Sequence, residues 1–229
     1  PDEASQPLIS ITVKEHTTKK IIVFAMNDFV NDRDDVTFIK CATETALIEK
    51  FLEFWLDYNP DIITGWNVKF FDIPFLMNRF RRLMGDEYIL QFSPWNVVTQ
   101  QTKRDVGFNK EYNYWDIMGV SILDYLDLYR KHTFVRRESY KLDYIGEVEL
   151  GENKHENPYD TFKEFYQKDY QKFIEYNIQD VELVDKLEDK MKLIDLHLTM
   201  AYEAKVNYQD VFSQVRVWDT IIFNHLKSK

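Results

Sequence analysis

The chain has 229 residues, 45% of them hydrophobic and 16% aromatic, with a formal net charge of −10. That length fits one large domain or two small ones with a sizeable core, and an acidic balance argues against a general polyanion binder, which carries a basic field. No run of about 18 apolar residues is present to span a membrane, and no secretory leader pattern is found. The single cysteine, Cys41, allows no internal disulfide and fits a reducing compartment.

In chain order, PLISITV (7–13) and KIIVFAM (20–26) are rich in β-branched residues and are separated by a polar turn, so they predict neighbouring strands. NDRDD (31–35) reads as a solvated loop and VTFIK (36–40) as a short edge strand. Thr43 has the position of an N-cap for a helix from Glu44 to about Tyr58, with Leu47, Phe51, Leu52 and Trp55 on its apolar face and Pro60 as its stop. DIITGW (61–66) predicts a short buried strand ending at Gly65, and a helix is expected from about Pro74 to Met84, stopped by Gly85. The arginines of that helix, Arg79, Arg81 and Arg82, read as a solvated face.

Residues 96–117 predict a long β-hairpin with Gly107 near its tip, residues 121–132 a short helix, and residues 146–160 a polar loop. From Asp160 to about Ala204 the pattern is helical in three pieces, and residues 211–226 form a last amphipathic segment. Strands first, with helices between and after them, predict an α/β fold in one domain spanning 1–229, with about 205–229 leading away from it. The opening PDEASQ, with no initiator Met, and the close at NHLKSK read as the ends of a piece cut from a longer polypeptide.

Two carboxylates stand apart from the other acids. Asp72 follows two phenylalanines and precedes Ile73, Pro74 and Phe75, an apolar setting in which an unpaired carboxylate is costly. It could be the N-cap of the helix that starts at Pro74. Asp180 lies on the apolar stripe of residues 173–194 and shares a helix face with Tyr176, four residues earlier. It is either a buried Asp held by a local hydrogen bond or a metal ligand at a cleft wall. Glu182, Asp185, Glu188 and Asp189 interleave with lysines and read as surface charges. The five histidines are scattered without ligand spacing.

DIITGWNVKFFDIPF resembles the second exonuclease motif of family B DNA polymerases, with Gly65, Trp66, Asn67, Phe71 and Asp72 at the motif positions. YNIQD resembles the third motif, through Tyr176 and Asp180. Residues 119–131 and 217–227 are similar to polymerases of T-even-type bacteriophages, and the resemblance covers essentially the whole chain. It implies a ribonuclease-H-like fold with a mixed central sheet flanked by helices. It also implies 3′→5′ proofreading of a single-stranded DNA 3′ end, with four carboxylates holding two divalent ions, Mg²⁺ or Mn²⁺. Asp72 and Asp180 would be two of those ligands, and Tyr176 would orient the attacking water; its plainer reading is a core tyrosine. Asn67 and Phe71 would meet the DNA, unless Phe71 simply packs in the core.

The region 96–117 is similar to a hairpin that helps separate primer from template, in which Lys103, Arg104 and Lys110 could meet phosphates; on charge alone an ordinary solvated hairpin fits equally. Asp124 is expected to support the fold or the ion ligands rather than bind the ions itself. The first motif, Asp-x-Glu on the opening strand, is not matched: Asp2 and Glu3 are adjacent and would face opposite sides of a strand. The first strand is therefore expected to be truncated, one ion or none to bind, and the isolated fragment to be inactive. A non-catalytic DNA-binding or structural module, or part of a naturally split polymerase, are the competing readings. The implied partners are a single-stranded 3′ end, the polymerase domain of the parent chain and phage replisome proteins, with no membrane, in the cytoplasm of an infected bacterium.

Overall fold

The computed structural model describes residues 3–105, 110–152 and 158–227. Strand β1 (Ser10–Lys14) pairs antiparallel with β2 (Ile21–Ala25), which pairs in parallel with β3 (Val36–Lys40). The middle strand is buried on both faces, with Ile21, Val23, Phe24 and Ala25 all at 0% exposure, which is why it lacks apolar–polar alternation. Helix α1 (Glu44–Tyr58) begins where expected: the Thr43 side chain accepts the Ala46 N–H at 3.2 Å. Leu47, Ile48, Phe51, Leu52 and Trp55 form its buried face. Phe51 meets Phe24 edge-on, with ring centroids 5.6 Å apart.

Strand β4 (Ile62–Gly65) pairs in parallel with β7 (Ser121–Asp124), which brings Gly65 opposite Asp124. Between them lie α2 (Asp72–Met84), α3 (Asp86–Leu90) and the antiparallel pair β5 (Val98–Asp105) and β6 (Lys110–Ile117). Residues 106–109, including Gly107, lie outside the described residues.

The expected helix over 121–132 is a strand followed by a helix, α4 (Tyr125–His132), with Asp124 as its N-cap. Ser121–Asp124 is extended because β4 supplies a ladder partner 59 residues away in register, which local periodicity does not reveal. The expected loop at 146–160 also begins as helix: α5 (Leu142–Leu150) buries Ile145 and Gly146. A Cβ on Gly146 would lie 3.3 Å from Leu183 Cδ2, so glycine permits the close approach of the two helices. Residues 153–157 of that segment lie outside the described residues.

Helices α6 (Phe162–Lys168), α7 (Tyr170–Met191) and α8 (Leu193–Ala204) are the three expected pieces. A 3₁₀ turn (Tyr208–Phe212) leads to α9 (Gln214–Lys227), which buries no residue. Two acids of α7 assigned to the surface are buried instead. Asp185 takes the ammonium groups of Lys14 and Lys19 at 2.8 and 2.7 Å and the His16 ring at 2.6 Å. Glu188, at 4% exposure, accepts the Tyr125 hydroxyl and the backbone N–H groups of Ile194 and Asp195. Arg79 is likewise no solvated residue: it is 8% exposed, forked onto Glu44 at 2.7 Å through two nitrogens, and donates to the Ala4 carbonyl. In each case the charge is buried because another element supplies its partner.

Candidate active site at the end of β4 and β7

Strand β4 ends in a turn that needs its own residues. A Cβ on Gly65 would lie 3.1 Å from the Val68 Cβ, and Asn67 has φ +62°, a left-handed conformation that asparagine tolerates. The carbonyl of Asn67 accepts the N–H groups of Phe70 and Phe71. Asp124 clamps the turn from the neighbouring strand. Its Oδ1 accepts the Asn67 N–H at 3.1 Å and its Oδ2 the Lys69 N–H at 2.9 Å, while Oδ1 also caps α4 through the Leu126 N–H. The Trp66 indole donates to the Tyr140 carbonyl at 3.0 Å, fixing the other side.

This turn delivers Asp72 to the first turn of α2. The N-cap position belongs to Phe71, and no side chain caps the helix, so the N-cap reading of Asp72 is overturned. Its carboxyl is pushed up to about 7, first by the protein crowded around it and then by the charges of Asp124 and Asp180. Asp72 nevertheless keeps exposed surface, so water reaches it. A helix N-terminus ordinarily favours an anion, and here crowding and like charge outweigh it. Asp124, 2% exposed, is also raised, by burial first, against the lowering effect of its backbone donors.

Asp180 comes from α7 and is half-buried. The structure thus brings Asp72 and Asp180, 108 positions apart, within reach of each other's charge. Tyr176 is half-buried one turn earlier, with Phe162 and Phe165 edge-on to its ring at 5.9 and 5.7 Å. Phe71 is 55% exposed, which removes the core reading for its ring.

Lys103 is exposed on β5, its Nζ 5.7 Å from the centre of the Phe70 ring. The side chains of Arg104 and Lys110 lie outside the described residues. Lys69 was missed in the sequence. Its Nζ stands 4.5 Å over the Tyr114 ring, and its ammonium is lowered by burial first, with Asp127, Asp124 and Asp116 opposing. The available signal was its place inside the Asn67–Asp72 turn.

Carboxylates that raise one another's proton affinity suit a divalent cation, which removes the repulsion. Asp72 and Asp180 could hold one; Asp124 has both oxygens engaged by backbone N–H groups. Among the described residues, the group of three that offers tightly spaced ligand atoms lies elsewhere: His16, Asp185 and Asp189. Lys14 and Lys19 already neutralise it, so it is an ion-pair network.

A family model for the exonuclease domain of DNA polymerase family B matches residues 2–145. The DNA-directed DNA polymerase of Escherichia phage RB69 is 37% identical over 198 residues, which is 86% of this chain and 21% of that protein. That of Enterobacteria phage T4 is 36% identical over 197 residues, 86% of this chain and 22% of that protein. DNA polymerase II of Escherichia coli K12 is 28% identical over 164 residues, 70% of this chain and 20% of that protein. The chain therefore spans about a fifth of the length of these curated relatives.

Proposed function

This chain belongs to the exonuclease-domain family of the family B DNA polymerases, and we propose that it is the part of a phage polymerase that removes nucleotides from a single-stranded 3′ end. The observation that carries this reading is that the charges of Asp124 and Asp180 act on Asp72, whose carboxyl is raised to about 7. Asp72 and Asp180 sit in motifs that resemble the family's second and third exonuclease motifs. The fold we assign is ribonuclease-H-like, with β5 and β6 as a long hairpin beside the site. The mixed β1–β2–β3 sheet and the β4–β7 pair support it.

Two divalent ions, when bound in such a site, polarise the scissile phosphate, activate a water and steady the leaving 3′ oxygen. Asp72 and Asp180 would hold them from opposite elements. Tyr176, on the Asp180 face, would hold the attacking water in line. Phe71 would lie against the terminal base and Asn67 beside it, while Lys103, with Arg104 and Lys110, would meet phosphates of the strand. Asp124 keeps the Asp72 turn in shape. Strand β1 carries no Asp or Glu, so this chain supplies two of the four expected ligands and by itself would digest DNA poorly. The polymerase domain of the parent chain and phage replication proteins are the proposed partners, in the cytoplasm of the infected host. No helix among the described residues is long and apolar enough to cross a membrane.

The test is digestion of a 5′-labelled single strand with Mn²⁺, by this chain and by a longer chain with an Asp-x-Glu strand ahead of it. The longer chain should shorten the strand from its 3′ end, and Asp72→Ala or Asp180→Ala should abolish this. Digestion that survives Asp72→Ala, or that runs from the 5′ end, overturns the reading.

A further inference from the structure

The segment RKHTFVRR (130–137) carries four Arg or Lys and no acid, in a chain whose net charge is −10. It spans the end of α4 and the connection to α5. Phe134 at its centre is 100% exposed and Val135 is 60% exposed. Arg137 is committed internally, to Glu149 at 2.6 Å and to the Tyr129 hydroxyl at 2.9 Å. The Arg130 guanidinium stands over the Tyr140 ring at 4.7 Å, a contact that does not neutralise its charge. Lys131 and Arg136 make no ion pair among the described residues.

Favourable contact with the helix C-terminus accounts for Arg130 and Lys131. It does not account for Arg136, which lies beyond the helix, or for a bare phenylalanine between the two basic pairs. The segment is also linked to the turn that carries Asp72. The carbonyl of Tyr140, whose ring carries Arg130, takes the indole N–H of Trp66, and Trp66 precedes the Asn67 turn that positions Asp72.

We propose that Arg130, Lys131, Phe134 and Arg136 form a binding ledge for single-stranded nucleic acid, with the cations on phosphates and Phe134 stacked on an unpaired base. Cations beside a solvated aromatic ring match a strand whose bases are free to stack. A duplex offers no such base, and its second strand would face the acidic remainder of the chain. The ledge deepens the exonuclease reading, because it would hold the strand whose 3′ end lies at Asp72.

The experiment is fluorescence anisotropy of a labelled oligothymidylate of roughly a dozen nucleotides, within the usual footprint of such sites, titrated with this chain in EDTA at several salt concentrations. Replacing Arg130, Lys131 and Arg136 together by Gln should weaken binding and lower the salt slope by about 2, at roughly 0.7 per phosphate contact. Phe134→Ala should weaken binding about 5- to 100-fold without changing the slope. Phe134→Trp should retain affinity, and Phe134→Leu should behave as Phe134→Ala. Phe134 is fully exposed, so Tm should not move in its variants.

Unchanged affinity and slope in the triple variant overturn the proposal. So does wild-type binding by Phe134→Leu, which points to apolar docking of a protein, or tighter binding of a duplex of equal length. EDTA prevents hydrolysis, so the two readings fail separately. Intact ledge-dependent binding with no digestion by the longer chain sinks only the exonuclease reading. Digestion with loop variants that bind normally sinks only the ledge.

Discussion

Asp124 accepts the backbone N–H of Asn67 at 3.1 Å across 57 residues of sequence, and through that bond one strand end dictates the shape of another. Asn67 has φ +62°, and five residues later the chain reaches Asp72. Replacing Asp124 by Asn turns an amide NH2, itself a donor, toward backbone N–H donors that the carboxylate now satisfies. We expect Asp124→Asn to lose about 3 kcal/mol of stability, since bonds to a charged acceptor contribute about 1.5–3 kcal/mol each and a buried unmet donor adds its own cost. Urea denaturation checks this. A loss well under 1 kcal/mol would mean that the turn holds its shape without Asp124.

Asp72 is raised from an unfolded value near 3.8 to about 7 in the folded chain. The folded state therefore binds more protons between those values, and Asp72 favours folding less and less as pH rises through that window. Asp72→Asn removes the charge. It should raise Tm at pH 8 and have a much smaller effect at pH 4, near the unfolded value, where the carboxyl is largely protonated in the folded state and only about half ionised in the unfolded one. Equal shifts at both pH values would show that burial and the neighbouring acids do not act on Asp72 as described.

His197 is fully buried, donates its Nε2–H to the Tyr208 carbonyl at 2.8 Å, and lies 5.9 Å from the His132 ring. It is lowered to about 4, first by burial and then by His132 and Lys131, against the Tyr208 carbonyl. Here the folded state binds fewer protons, so the stability present above pH 6.5 is lost as pH falls toward 4. A fall from 6.5 to about 4 corresponds to about 3 kcal/mol. In His197→Gln the decline between pH 6.5 and 4 should be shallower by about that amount, as read from denaturant midpoints. A parallel profile would place the acid sensitivity elsewhere.

Arg79 ties α2 to α1 through Glu44 and to the N-terminal segment through the Ala4 carbonyl. Glu44 also takes the Leu8 N–H at 2.6 Å. Removing one partner of a buried pair costs about 3–5 kcal/mol. Arg79→Ala should approach that range, and Arg79→Lys should recover only part of it because an ammonium cannot fork onto both carboxylate oxygens. Full recovery by lysine, measured as a urea midpoint, would reduce the interaction to simple charge.

By itself the sequence determined the elements whose causes are local. Thr43 announces α1 because a hydroxyl three residues before an unpaired N–H caps it wherever the helix lies. Asp72 and Asp180 stood out in the sequence because the Gly65–Asp72 and Tyr176–Asp180 stretches resemble the second and third exonuclease motifs, short patterns readable without a fold. Tertiary structure alone decided what depends on a distant partner. Ser121–Asp124 became a strand because β4 lies beside it, and Asp124 became a clamp because its strand ends opposite Gly65. Asp185, Glu188 and Arg79 share the composition of surface charges, yet each is buried against donors or acceptors contributed by other elements. The raised pKa of Asp72 belongs to the same class: the protein crowded around it and the fields of Asp124 and Asp180 exist only once three separate elements converge.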